Sequence, residues 1–200
     1  MVAKPTPTRE EIAALPAFGG VTLLDIVVPA TEIEAQAAYE SLLTAAVIGF
    51  DTESKPTFKV GEVSTGPHII QLATLEKTYI FQLHYPFCVE VSALILQHPK
   101  LTKVGFGLKS DYQQLKAKFG IVPQAVIDVD ALFKAQGYVK SIGVKTAVAL
   151  LFGQCFKKSK SISTSNWSQP NLSPSQLLYA ANDAYAALRV YQALTQSTAL

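Results

Sequence analysis

Cysteine is scarce in this chain: Cys88 and Cys155 are the two thiols among 200 residues. They have neither the spacing of metal ligands nor the pattern of a disulfide framework, so the default setting is a reducing, cytosolic one. Arginine is equally rare. Arg9 and Arg189 are the two copies, and lysine supplies almost all the positive charge. The planar arginine fork suits bidentate reading of guanine edges, whereas lysine is a point charge suited to phosphate. With a formal net charge of +2, a nucleic-acid partner would be held by sequence-tolerant backbone contact; the same composition also describes any slightly basic soluble enzyme. No apolar run approaches the ~18 residues of a membrane span, so no membrane partner is expected. The N-terminus carries Lys4, Arg9, Glu10 and Glu11 among prolines and lacks the apolar centre of a secretion signal. The expected location is cytoplasmic, with nuclear or nucleoid association compatible with it. Internal repeats and low-complexity tracts are also missing.

What is present suits one globular domain. Hydrophobic residues make up 49% of the chain and charged residues 16%, enough apolar chain for a core and too little charge for disorder. Residues 1–20 read as an N-terminal arm or short leading helix, because Thr8-Arg9-Glu10-Glu11 forms a capping box before Ile12. Residues 21–200 read as the domain. Strands are expected at 21–28, 46–52, 68–74, 78–83, 103–106 and 125–129, with a hairpin across Leu75-Glu76-Lys77. Helices are expected at 32–43, 88–98, 109–119, 130–136, 142–152 and from Ser173 to about 195, where serine, proline and glutamine form a helix start. A Gly/Ser/Thr/Pro-rich loop occupies 54–67, and 157–170 reads as a polar loop or broken helix. Adjacent strands followed by alternating strands and helices indicate an α/β domain with a mixed central sheet flanked by helices.

Within this frame, acidic residues recur where packing does not require them. Asp51 and Glu53 end the apolar run Ile48-Gly49-Phe50-Asp51-Thr52-Glu53. Side chains two apart on a strand share a face, so both acids look one way and Thr52 the other. The mouth where a buried strand leaves an α/β sheet is where ligands sit. Tyr179 and Asp183, four apart on the last helix, stack on one side of it. Asp111 lies in the first turn of its helix, where a carboxylate also simply favours the positive end of the macrodipole. Like charges 4 Å apart repel by ~4 kcal/mol at an effective dielectric near 20. A cluster of four carboxylates must therefore hold protons or cations. An all-oxygen ligand set favours Mg²⁺ or Mn²⁺ over zinc, and with it phosphoryl chemistry.

Three blocks then carry a resemblance: Ile48-Gly49-Phe50-Asp51-Thr52-Glu53, Val104-Gly105-Phe106-Gly107-Leu108-Lys109-Ser110-Asp111, and Tyr179-Ala180-Ala181-Asn182-Asp183-Ala184-Tyr185. In this order the chain resembles the DEDD superfamily of 3′–5′ exonucleases, in the tyrosine branch that includes RNase D and the exonuclease domain of the Werner syndrome helicase. The similarity runs over about 21–195. Ser165-Asn166-Trp167-Ser168 resembles the Werner-like side, and Leu178 stands where the histidine branch would place its histidine. His68, His84 and His98 have no role in this scheme.

The resemblance implies an RNase H-like fold and two divalent cations, Mg²⁺ or Mn²⁺. Asp51, Glu53 and Asp183 would hold one ion, Asp51 would bridge to the second, and Asp111 would hold that one through water. Tyr179 would orient the attacking water. Glu53 and the backbone near Thr52 would meet the terminal 3′-hydroxyl, so that nucleoside 5′-monophosphates leave one at a time from a DNA or RNA 3′ end. Lys158, Lys160, Asn166 and Trp167 would approach the substrate backbone, although Trp167 also reads as an apolar plug beneath the loop. Gln71 falls at a family-favoured site that also suits a buried amide, and Asp128 reads as a structural acid. RNase D carries further helical domains and the Werner relative a helicase, so a lone nuclease domain is expected to bind substrate weakly unless it forms a homo-oligomer or takes a protein partner. Two other readings stay open: a non-catalytic nucleic-acid-binding or scaffold module on the same fold, and a metal-dependent phosphatase of small nucleotides.

Overall fold

The apolar run that ends in the two acids forms β2 (Val47–Glu53), and the sheet is built around it. A computed structural model describes residues 4–57 and 61–196. Its other strands are β1 (Ile26–Val27), β3 (Ile69–Ala73), β4 (Thr78–Gln82), β5 (Thr102–Gly105) and β6 (Val126–Asp128). They form one sheet in the order β1-β4-β3-β2-β5-β6. β3 runs antiparallel to β2 and β4, while the β1–β4, β2–β5 and β5–β6 pairs are parallel. This is the expected mixed sheet.

Alternation along β2 sorts its side chains between two layers. Ile48 and Phe50 join Ile70, Leu72 and Phe81 in the core beneath α2 (Glu32–Leu43) and α3 (Pro86–Leu96). The same core takes Leu108 and Leu115 from the start and middle of α4 (Lys109–Phe119). On the other face lies α8 (Pro174–Gln196), whose Ala180, Ala181 and Ala184 press against Ile69, Ile80 and Ala73. α5 (Val129–Ala135) and α6 (Val144–Phe152) complete that layer, with Phe133, Val148 and Leu188 in one cluster. Small residues let α8 approach closely. A Cβ on Gly49 would stand 1.9 Å from the Ala184 carbonyl oxygen.

The remaining helices are short: α1 (Arg9–Ala13), closed by the expected Thr8–Glu11 capping box, and α7 (Lys160–Ser163) inside the polar tract. Several boundaries differ from the sequence reading, two of them for a visible local reason. The strand expected at 21–28 shrinks to Ile26–Val27, because the Asp25 carboxylate accepts hydrogen bonds from the Thr22 N–H and hydroxyl. These close a 3₁₀ turn over Leu23–Asp25 and leave two residues to pair with β4. α3 begins at Pro86 rather than 88, with proline in the first turn, where its missing N–H costs nothing. The segment before residue 21 packs on the domain. Cys155 N–H donates to the Pro16 carbonyl, and Phe18 stacks among Phe152, Phe156 and Tyr185. Residues 58–60 of the 54–67 loop lie outside the described residues. The ends of that loop are tied down, with Ser54 bonded to Gln114 and Lys118 to the Thr65 and Pro67 carbonyls.

Candidate active site

Two helices deliver acids from opposite faces of the sheet to the C-terminal end of β2. Asp51 and Glu53 point to the α8 side, where Tyr179 and Asp183 stand one turn apart. Thr52 points the other way and is buried. Its hydroxyl donates to Asp111 Oδ1 on α4, while Ser110 Oγ lies 3.4 Å from the other oxygen. The Thr52 side chain thus fixes Asp111, while its backbone, the part expected near the substrate, belongs to the end of β2.

Asp51 and Glu53 both sense the charges of Asp183 and Asp111. Burial pushes the Asp51 carboxyl well above the usual carboxylate range, and the charges of Asp183 and Asp111 push it further. Glu53 is pushed up to about 9, first by burial and then by Asp51 and Asp183. Burial raises Asp183 to about 6 against the downward pull of Lys158. Asp111 is raised by burial, with the Thr52 hydroxyl opposing. Such a cluster is high in energy when ionised and calls for cations. Asp183, 4% exposed, has no hydrogen-bond partner for its oxygens among the described residues apart from Lys158. The set offers only oxygen donors, which fits hard divalent ions such as Mg²⁺ or Mn²⁺. Among the described residues, no three His, Cys, Asp or Glu side chains are drawn tightly enough together to hold one ion. The acids are gathered but not closed up, and a lysine amine lies among them.

That amine belongs to Lys158, whose Nζ is 2.8 Å from Asp183 Oδ2 and 5.5 Å from the Tyr179 ring centre. Of the other residues expected at the substrate, Lys160 is exposed in the first turn of α7. Asn166 is exposed, with its side-chain oxygen accepting from the Ser168 N–H and hydroxyl in a local turn. Trp167 is 1% exposed, its indole N–H donating to the Ser163 carbonyl and its ring 5.9 Å from that of Tyr179. This is the place of the plug, backing Tyr179 from inside, and not that of an exposed stacking surface. Burial and the Asp183 charge raise the Tyr179 phenol to about 12.

The cleft beside the acids was not read from the sequence. A cleft of about 430 Å³ opens beside Tyr179 and Asp183, walled by Phe18, Val21, Phe156, Ile162 and Leu178. Its far wall is the N-terminal segment, clamped by Asn182, whose side-chain oxygen accepts from the Val21 N–H. Gln71 pairs directly across from Asp51 and is wholly buried, with no hydrogen-bond partner for its amide among the described residues. Asp128 has the structural role expected of it, accepting from the Leu108 and Asp130 N–H groups.

Known proteins share this arrangement of chain. The sequence profile of a 3′–5′ exonuclease family, that of the DNA polymerase A exonuclease domain, matches residues 26–199. The mouse bifunctional 3′–5′ exonuclease/ATP-dependent helicase WRN is 32% identical over 154 residues, 74% of this chain, and the chain spans 11% of that protein's length. Among solved structures, the Aedes aegypti Nibbler EXO domain superposes with a TM-score of 0.76 at 22% identity, covering 90% of this chain and 91% of that one. Escherichia coli RNase D superposes with a TM-score of 0.73 at 24% identity, over 87% of this chain and 45% of that one. The fold is thus RNase H-like, and by the profile match along most of its length the chain belongs to this 3′–5′ exonuclease family, within the DEDD superfamily.

Proposed function

We propose that this protein is a divalent-metal-dependent 3′–5′ exonuclease of the tyrosine branch, releasing nucleoside 5′-monophosphates from single-stranded or frayed 3′ ends. The observation that carries the reading is the convergence of Asp51, Glu53, Asp111 and Asp183 at the end of β2, with Tyr179 beside them. Asp51, Glu53 and Asp183 would hold one Mg²⁺ or Mn²⁺ and Asp111, with Asp51, the other. When bound, the ions supply charge neutralisation at the scissile phosphate and ionisation of water near neutral pH. Tyr179, raised to about 12, keeps its proton at neutral pH. Its hydroxyl therefore orients the attacking water by hydrogen bonding and does not act as the base. Trp167 behind the ring and Thr52 beneath Asp111 hold these groups in position. Lysines rather than arginines around the site suit contact with phosphate irrespective of sequence. A nucleic-acid substrate is also in keeping with the relatives, since Trypanosoma brucei RNase D has been solved with RNA U12.

The test is an oligonucleotide labelled at its 5′ end, incubated with Mg²⁺, Mn²⁺ or EDTA. The expected result is a ladder shortening from the 3′ end in either metal, absent in EDTA and absent with Asp183→Asn. Matched DNA and RNA strands in the same assay assign the sugar. Binding without shortening in both metals would make the chain a non-catalytic module, and turnover of mononucleotides alone would make it a phosphatase.

A further inference from the structure

We propose that Lys158 is a resident cation of the carboxylate cluster, its ammonium occupying a place at Asp183 that a divalent ion takes over when it binds. The inference rests on the metal-dependent reading above and adds to it a competitor within the chain.

Three observations lead to it. Lys158 leaves the loop after α6 and turns inward, so that Nζ lies 2.8 Å from Asp183 Oδ2 on a side chain that is nearly out of solvent. The Asp183 oxygens have no other hydrogen-bond partner among the described residues. The ammonium also lies 5.5 Å from the centre of the Tyr179 ring, so it stands against both residues that α8 contributes to the site. A buried charge survives when it is paired, and four carboxylates without a counter-ion would repel. Lys158 is thus the counter-charge that lets these acids sit together before any metal arrives.

A divalent ion held by Asp183 would compete for that carboxylate with twice the charge and would drive the ammonium away from it. The exchange takes no proton from Lys158. Lys158 stays protonated and swings out on its flexible stem, while the neighbouring Lys157 and Lys160 are already exposed. The displaced ammonium remains tethered beside the cleft, where the phosphates of a strand would arrive. Metal loading and the presentation of a positive charge to substrate become one event.

The test strips the full-length chain with EDTA and measures Mn²⁺ binding by calorimetry for the wild type and for Lys158→Met, which keeps the length and removes the charge. Lys158→Met is expected to bind Mn²⁺ at least tenfold more tightly, and its metal-free form to melt below the metal-free wild type, with the gap closing in saturating Mn²⁺. A second measurement needs no variant. In nitrogen-detected spectra of the wild type, one slowly exchanging lysine ammonium should be visible in EDTA and should lose its protection on titration with Mg²⁺. Wild type that binds Mn²⁺ while the variant's affinity is equal or weaker, or while the ammonium signal is unchanged by Mg²⁺, overturns the role of Lys158 and leaves the nuclease reading standing. Wild type that binds no Mn²⁺ overturns both.

Discussion

Tyr179 shows how single side chains in this site are defined by what lies behind them. Its ring rests 5.9 Å from that of Trp167, and burial, together with the charge of Asp183, raises its phenol to about 12. A phenol kept protonated can donate a hydrogen bond to a water and fix its direction, which affects the reacting geometry more than the affinity for the strand. Tyr179→Phe is therefore expected to lower kcat about 10²-fold, with substrate Kd in Ca²⁺ unchanged within about twofold; single-turnover rates and fluorescence anisotropy separate the two. Equal losses in kcat and affinity would make Tyr179 a substrate-holding residue instead. The directions of Asp51, Glu53, Tyr179 and Asp183 were legible in the sequence because periodicity fixes them: two apart on a strand and four apart on a helix. The hydroxyl of Thr52 was legible only by half. Alternation sends it away from Asp51, but that it lands on Asp111 depends on where α4 crosses the sheet, which no local pattern encodes.

At the scale of elements, the decisive contact is α8 against β2, since the strand carries Asp51 and Glu53 and the helix carries Tyr179 and Asp183. Gly49 is the point of closest approach, and a Cβ there would meet the Ala184 carbonyl oxygen at 1.9 Å and Leu188 at 3.3 Å. Backbone on one side and a packed core on the other leave no flexible group to yield. Gly49→Ala must push α8 outward, with a loss of stability of about 1–3 kcal/mol and a further loss of activity from carrying Asp183 away from Asp51. Urea denaturation measures the first; specific activity at equal folded fraction measures the second. Retained stability and activity together would mean that the helix slides without cost. The start of α8 was readable because Ser173 and Gln176 exchange hydrogen bonds as their spacing requires. The strand expected at 21–28 was misread because its apolar, largely β-branched residues suit a strand, while the Thr22–Asp25 pairing that breaks it acts through side chains. The inward turn of Lys158 was hidden for a related reason: it sits in a polar tract without periodicity, held by a charge 25 positions further along.

For the whole molecule, the gathered acids make stability depend on pH and on metal together. In the unfolded chain these carboxyls titrate near ~4; in the fold Asp183 titrates at about 6, Glu53 at about 9 and Asp51 well above the usual range. The folded state therefore holds protons that the unfolded state has released, and raising the pH through this interval lowers stability. Other groups bound the window in which this dominates. Burial and the charge of Lys118 keep His68 neutral down to about 4, so its contribution grows with pH until the unfolded histidine has also lost its proton, near ~6.5. Buried Lys103, lowered to about 8, makes stability rise with pH only above that value, where the unfolded chain still binds its proton. Between these limits the acids govern. The melting temperature in EDTA should fall between about pH 6.5 and pH 8, and saturating Mn²⁺ should both raise it and flatten the slope, because ions that replace the retained protons leave the fold no proton excess to lose. A melting temperature in EDTA that is level or rises across that interval would show that the four carboxylates do not share one electrostatic environment, and the common site at the end of β2 would have to be abandoned.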